Sequence, residues 1–176
     1  KIRDIFQLSK EIEKLQNNGS IIVLCHGVFD LLHLGHIKYF EEAKSFGDVL
    51  IVTVTPDEYV RRGPGRPVFT AEQRVEAISA LEVVDYIAVN QWTTAINTIE
   101  LIKPNFYVKG PDYKNHENDV TGNIKLEEDA IKKHNGKMRF TSGITFSSTQ
   151  LIKQNFNLFN GNQNEYIDKI RKKYTL

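Results

Sequence analysis

IIVLCHGVFDLLHLGHIKYF, residues 21–40, runs from an apolar stretch through a glycine-bearing turn into a segment with helical spacing. Ile21 to Cys25 is short and wholly apolar, the composition of a strand buried on both faces. From Leu34 onward Ile37, Phe40 and Ala43 recur at helical intervals, and Gly47 offers a stop. A strand feeding directly into a helix opens a β–α unit, so the remainder of the chain is read for its continuation.

The continuation is regular. Upstream, Ile5, Leu8, Ile12 and Leu15 predict a first helix closed by Asn17, Asn18 and Gly19. Downstream, DVLIVTV (48–54), VDYIAVN (84–90), NFYVKG (105–110) and KMRFT (137–141) read as four more strands. Between them RRGPGRP (61–67) is loop by its Gly and Pro content, and Thr70 with Gln73 forms a capping box opening a helix through Leu81. Thr94 to Lys103, Ile124 to His134 and a short segment from Ser147 are predicted helical. Strands alternating with helices predict an α/β three-layer sandwich around a five-stranded parallel sheet. Ligands of such sheets sit at the carboxyl ends of the strands, which is where residues 25–36 fall.

The 176 residues suffice for one domain with a substantial core, and the net charge of +1 without a long basic run does not suggest a general nucleic-acid binder. One cysteine, Cys25, excludes an internal disulfide and suits a reducing, cytoplasmic setting. Apolar stretches are only strand-sized, so neither a signal peptide nor a membrane span is expected. The chain starts at Lys1, and NFNLFNGNQNEY precedes IDKIRKKYTL at its end. The expected organisation is a domain over 1–153 and a linker with a C-terminal helix over 154–176, leading to a further domain; a trimmed single-domain chain is the equal alternative.

Three readings compete for the histidine-rich turn. A zinc site would use Cys25 or His26 with His33 and His36, but no further cysteine or carboxylate stands at metal-like spacing. Local hydrogen bonding suits His26 alone. A phosphate site accounts for all the positions together. Gly27 permits a turn and a close backbone approach, and Asp30 is placed to cap the next helix or orient a histidine. His33 and His36, three apart, project to one side of a helical turn, with Gly35 leaving room between them. Amide donors, the helix dipole and two imidazoles then converge on one anion. Cys25 is expected as a buried bystander and Trp92 as a packed aromatic.

GVFDLLHLGH (27–36) resembles the HxGH signature of the nucleotidyltransferase superfamily, which includes glycerol-3-phosphate cytidylyltransferase and the heptose-1-phosphate adenylyltransferase domain of lipopolysaccharide synthesis. GRPVFTAEQRVEAISALEVVDY (65–86), FYVKGPDY (106–113) and ITFSSTQLI (144–152) resemble further family segments in the same order. The match spans about residues 20–155 and is nearer the heptose-phosphate domain than the glycerol-phosphate enzyme. The resemblance implies a Rossmann-like nucleotidyltransferase fold and transfer of a nucleotidyl group from ATP or CTP to a sugar phosphate, with pyrophosphate released.

On that resemblance, His33 and His36 hold the triphosphate and stabilise the transition state, and Arg74 of the EQR triplet neutralises phosphate. Gly27, Val28 and Phe29 would line the nucleotide and acceptor pockets. Arg61, Arg62 and Arg66 lie in the loop where the family carries basic residues, and Lys109 and Asp112 in the loop that approaches the nucleotide. Ser147, Ser148 and Thr149 would form a second anion cradle; cytidylyltransferases often place an arginine just before such a run, and TSGITFSST does not. Mg²⁺ is expected to arrive with the triphosphate and bind mainly through it, with no protein metal site. A homodimer and a fused sugar-kinase-like domain are also implied, and no nucleic-acid or membrane partner. Two alternatives remain: CTP with a phospho-alcohol such as glycerol 3-phosphate, and a nucleotide-binding module without turnover.

Overall fold

In the computed structural model, residues 1–60, 65–113 and 122–143 are described. Helix α1 (Ile5–Asn17) is capped by Asp4, whose carboxylate accepts from the Phe6 and Gln7 amides. Strand β1 (Ile22–Gly27), helix α2 (Leu34–Lys44) and strand β2 (Val49–Val54) follow. Helix α3 (Ala71–Ser79) starts at Thr70 with the expected capping box complete in both directions. Strand β3 (Tyr86–Val89), helix α4 (Ile96–Ile102), strand β4 (Phe106–Lys109), helix α5 (Ile124–Lys133) and strand β5 (Lys137–Phe140) complete the described elements. The helix expected from Ser147 lies outside the described residues.

All five strands are parallel, in the order β3-β2-β1-β4-β5, as the alternation predicts. Successive strand residues face opposite sides, so the sheet sorts its side chains into two cores. Val23 and Cys25 of β1, Leu50, Val52 and Val54 of β2 and Val108 of β4 pack with Phe40 and Ala43 of α2 and Val75 and Ile78 of α3. On the opposite face Ile22, Leu24, Ile51, Ala88 and Tyr107 pack with Ile5, Leu8 and Ile12 of α1, Ile99 and Ile102 of α4, and Ala130 and Ile131 of α5. The layers are therefore α2/α3, sheet, and α1/α4/α5.

Two glycines work differently from expectation. Gly47 does not end α2, which closes at Ser45; instead a Cβ there would stand 2.7 Å from the Ile21 carbonyl oxygen, so the loop can pass β1 only without a side chain. Gly27 is the last residue of β1, and the left-handed residue of the turn is Phe29, at φ 49°. A Cβ on Gly27 would meet the Phe29 ring at 2.9 Å. An aromatic residue held in that region stores strain, and its packing against His36, Tyr39 and Phe40 holds it there.

Candidate active site

Helix α2 begins at the carboxyl end of the central strand β1, with His33 at its N-cap. The His33 side chain makes no capping hydrogen bond, and the first amides of α2 carry the positive end of the helix dipole. The His33 and His36 rings stack at 3.8 Å between centroids with 18° between planes, and Phe29 meets His36 edge-on at 5.3 Å. Burial holds His33 below the usual histidine range, which favours the neutral ring. The expected pairing of the two histidines on one side of the turn is present.

Beneath the pair, buried charges bind the turn to the loop after β2. Asp30 is not the N-cap of α2, which is His33. Its Oδ1 accepts from the Val68 amide at 2.7 Å and the Phe69 amide at 3.0 Å, while Oδ2 pairs with Arg66 Nε at 2.9 Å. Arg66 is thus held by Asp30, with 12% of its side chain exposed.

Arg74, expected as a phosphate ligand, is fully buried: Nε donates to the Phe69 carbonyl, Nη1 to Val28, and Nη2 to Thr55 and to Asp57 Oδ1. Its guanidinium joins the turn after β1, the end of β2 and the start of α3 through three carbonyls and a carboxylate. Asp57 also accepts from the Ala71 amide at 3.2 Å.

On the β4 side, Lys109 is buried as well and pairs with Glu127 of α5 at 2.9 Å, its ammonium lying over the Tyr107 and Tyr113 rings. Asp112 lies beyond it in the short turn Pro111–Tyr113 and is exposed. Ser142 is held by Glu42 of α2 through its amide and its hydroxyl, at 2.8 and 3.0 Å, which ties the end of β5 to the histidine helix. Arg61, Arg62, Ser147, Ser148 and Thr149 lie outside the described residues.

Cys25 is buried on the α2/α3 face with its thiol pushed up to about 12 by desolvation, an unreactive thiol. His26 faces the other side, with Nδ1 2.9 Å from Thr53 Oγ1 and Nε2 3.3 Å from Thr55 Oγ1. Burial, aided by the charge of Lys109, lowers its pKa to about 3. Neither residue joins the histidine pair, and among the described residues no group of three or more His, Cys, Asp or Glu side chains is arranged to hold a metal ion. Trp92 packs against the core and meets Phe6 edge-on at 6.1 Å.

Sequence reading passed over Asp57, Thr53, Thr55 and Glu127. Two of them carried a signal: Thr53 interrupts the apolar run of β2, and Glu127 falls between Ile124 and Ile131 on the buried stripe of α5.

Residues 24–155 match the family model described as cytidylyltransferase-like. The chain belongs to the cytidylyltransferase-like family. That membership places this domain among the nucleotidyltransferases. It is 39% identical over 130 residues to the Bifunctional protein HldE of Aliarcobacter butzleri, covering 71% of this chain and 27% of that relative. It is 35% identical over 154 residues to the protein of the same name from Geobacter metallireducens, covering 86% and 30%. The cytidylyltransferase-like chain therefore spans less than a third of these curated relatives. Among solved structures it resembles the lipopolysaccharide core biosynthesis protein of Thermoplasma volcanium, with TM-score 0.61 and 34% identity over 72% of this chain and 100% of that one. Pantoate-beta-alanine ligase from Francisella tularensis, at TM-score 0.60 and 18% identity over 97% of this chain and 77% of that one, shares the fold. Among the described residues no helix is long and apolar enough to cross a membrane.

Proposed function

We propose that this domain transfers a nucleotidyl group from ATP or CTP to a sugar phosphate, releasing pyrophosphate and supplying an activated sugar for surface polysaccharide synthesis. The observation that carries the reading is the stacked His33–His36 pair at the N-terminus of α2, at the carboxyl end of the central strand. An anionic acceptor phosphate needs no covalent nucleophile from the protein. One of its oxygens attacks the α-phosphorus, a new P–O bond forms, and the bond to the bridging oxygen breaks with its electrons leaving on pyrophosphate. The protein's share is alignment and stabilisation of charge on the phosphoryl oxygens, through ring N–H groups and helix amides.

Mg²⁺ accompanies the triphosphate in this reading and offsets part of its charge. The 34% identity to the lipopolysaccharide core biosynthesis protein of Thermoplasma volcanium supports a sugar acceptor, and likeness to the heptose-phosphate domain favours adenine. Asp112 and the segment of Ser147, Ser148 and Thr149 are proposed as further nucleotide contacts. A homodimer, and fusion to a kinase-like domain, belong to the same proposal. The test is pyrophosphate release from ATP or CTP with a panel of sugar phosphates, using the wild type and His36→Ala. Turnover abolished in a folded His36→Ala protein is the expected result. Full activity in that variant overturns the mechanism, and nucleotide binding without pyrophosphate from any pair replaces it with a non-catalytic module.

A further inference from the structure

Phe29, in the turn between β1 and α2, stands in the left-handed backbone region at φ 49°, where bulky side chains are rare. Its ring is buried and packs on α2, against Phe40 at 5.0 Å between centroids and Tyr39 at 6.2 Å. Both neighbours are fixed: the Tyr39 hydroxyl donates to the Val108 carbonyl at 2.6 Å, and Phe40 has no exposed surface. On the same helix His36 meets Phe29 at right angles, 5.3 Å away, and stacks on His33. A strained conformation persists only where its surroundings over-determine it, and such residues gather where a site needs them.

Gly27 shows what this conformation requires. Its own backbone lies outside the left-handed region, so an alanine could adopt it without strain. The three nearest atoms to a Cβ built there all belong to the Phe29 ring, with Cζ at 2.9 Å and the two Cε atoms at 3.2 Å. The space left by the missing side chain is therefore the seat of that ring. Filling it would push the ring, and with Phe40 and Tyr39 fixed behind it the displacement falls on the contact with His36.

We propose that Phe29 is a positioning residue for the transfer reaction: its left-handed backbone turns the ring onto His36 and sets the angle of that imidazole, and Gly27 acts by giving the ring its seat. The proposal rests on the nucleotidyl-transfer reading and concerns side chains behind the histidine, which need not touch substrate. An imidazole out of line still meets a bound triphosphate but no longer follows the charge that develops on it, so the loss falls on kcat rather than KM. Family resemblance gives Gly27 another task, close approach of its backbone to the nucleotide. The two roles separate in a double variant.

Wild type, Gly27→Ala, Phe29→Leu and the double variant are compared by initial-rate pyrophosphate release, with the triphosphate and sugar phosphate that wild type turns over fastest. Leucine lacks the distal ring atoms that the added Cβ would meet. Each single variant should lower kcat about tenfold with nucleotide KM within about twofold, and the double variant should match Phe29→Leu within about twofold. Losses that multiply to about a hundredfold show Gly27 acting on the ligand directly and overturn the proposal. Full kcat in Phe29→Leu overturns it too, as does a loss that vanishes once rates are normalised to the folded fraction. The transfer reaction stands in each of these cases. A second readout needs no turnover: His36 ring signals in proton–nitrogen spectra should move when Gly27→Ala is made in wild type and stay in place when it is added to Phe29→Leu. Equal movement in both backgrounds overturns the seat. A wild type that releases no pyrophosphate from any pair removes the transfer reading and this role with it.

Discussion

His26 is neutral because desolvation lowers its pKa to about 3, whereas the unfolded chain has an ordinary histidine near 6.5. Between those values the unfolded state takes up the proton first. The histidine's contribution is therefore complete above about pH 6.5 and is lost as the pH falls toward 3, at up to about 1.4 kcal/mol per pH unit. Urea titrations at pH 7, 6, 5 and 4 should show His26→Asn losing less stability than wild type over that interval; parallel lines would sink the assignment. Arg74→Ala strands three carbonyls and the Asp57 carboxylate, and should cost about 3–5 kcal/mol in the same titration. Arg74→Lys should recover little of it, because an ammonium cannot reach three separated carbonyls at once. Here sequence reading was least able. An arginine in a matched triplet announces a charge but not its neighbours, and Val28, Thr55 and Phe69 come together only in three dimensions. The histidine pair was legible because its geometry is local, three residues apart on one turn.

Elements declared themselves where chemistry repeats along the chain. The strands are apolar runs with turn residues at their ends, and α3 was marked by Thr70 and Gln73, both now seen in the capping box. Thr70→Ala should therefore cost about 1 kcal/mol, read as a shift in denaturant midpoint without a change in slope. Ends were less legible because pairing sets them: β1 continues through Gly27 because Gly27 is in register with Val54. Between elements, Lys109 and Glu127 form a buried ion pair joining β4 to α5. Lys109→Met leaves a buried carboxylate alone and should cost about 3–5 kcal/mol, whereas Lys109→Met with Glu127→Leu should return most of it. Equal losses in the single and double variants would show that the pair contributes nothing specific.

Over the whole molecule the alternation of strand and helix was enough to anticipate the parallel five-stranded sheet, since handed crossovers leave few other arrangements. It did not say which residues would share a flank, and so the hydroxyl-lined side of β1 came only with the fold. A ligand that binds the folded state alone stabilises it by mass action. A nucleoside triphosphate at a hundredfold its Kd should add about 2.7 kcal/mol, visible as a rise in melting temperature. No shift with any triphosphate would remove the site from consideration. Arg74 and Asp30 together gather the turn at Val28, the end of β2 at Thr55 and the backbone of Val68 and Phe69. In amide hydrogen exchange, these scattered segments should open as a single cooperative unit, with Val68 and Phe69 sharing one opening free energy. The floor of the site would then breathe all at once, and one opening equilibrium would time both the solvent's access and the substrates'.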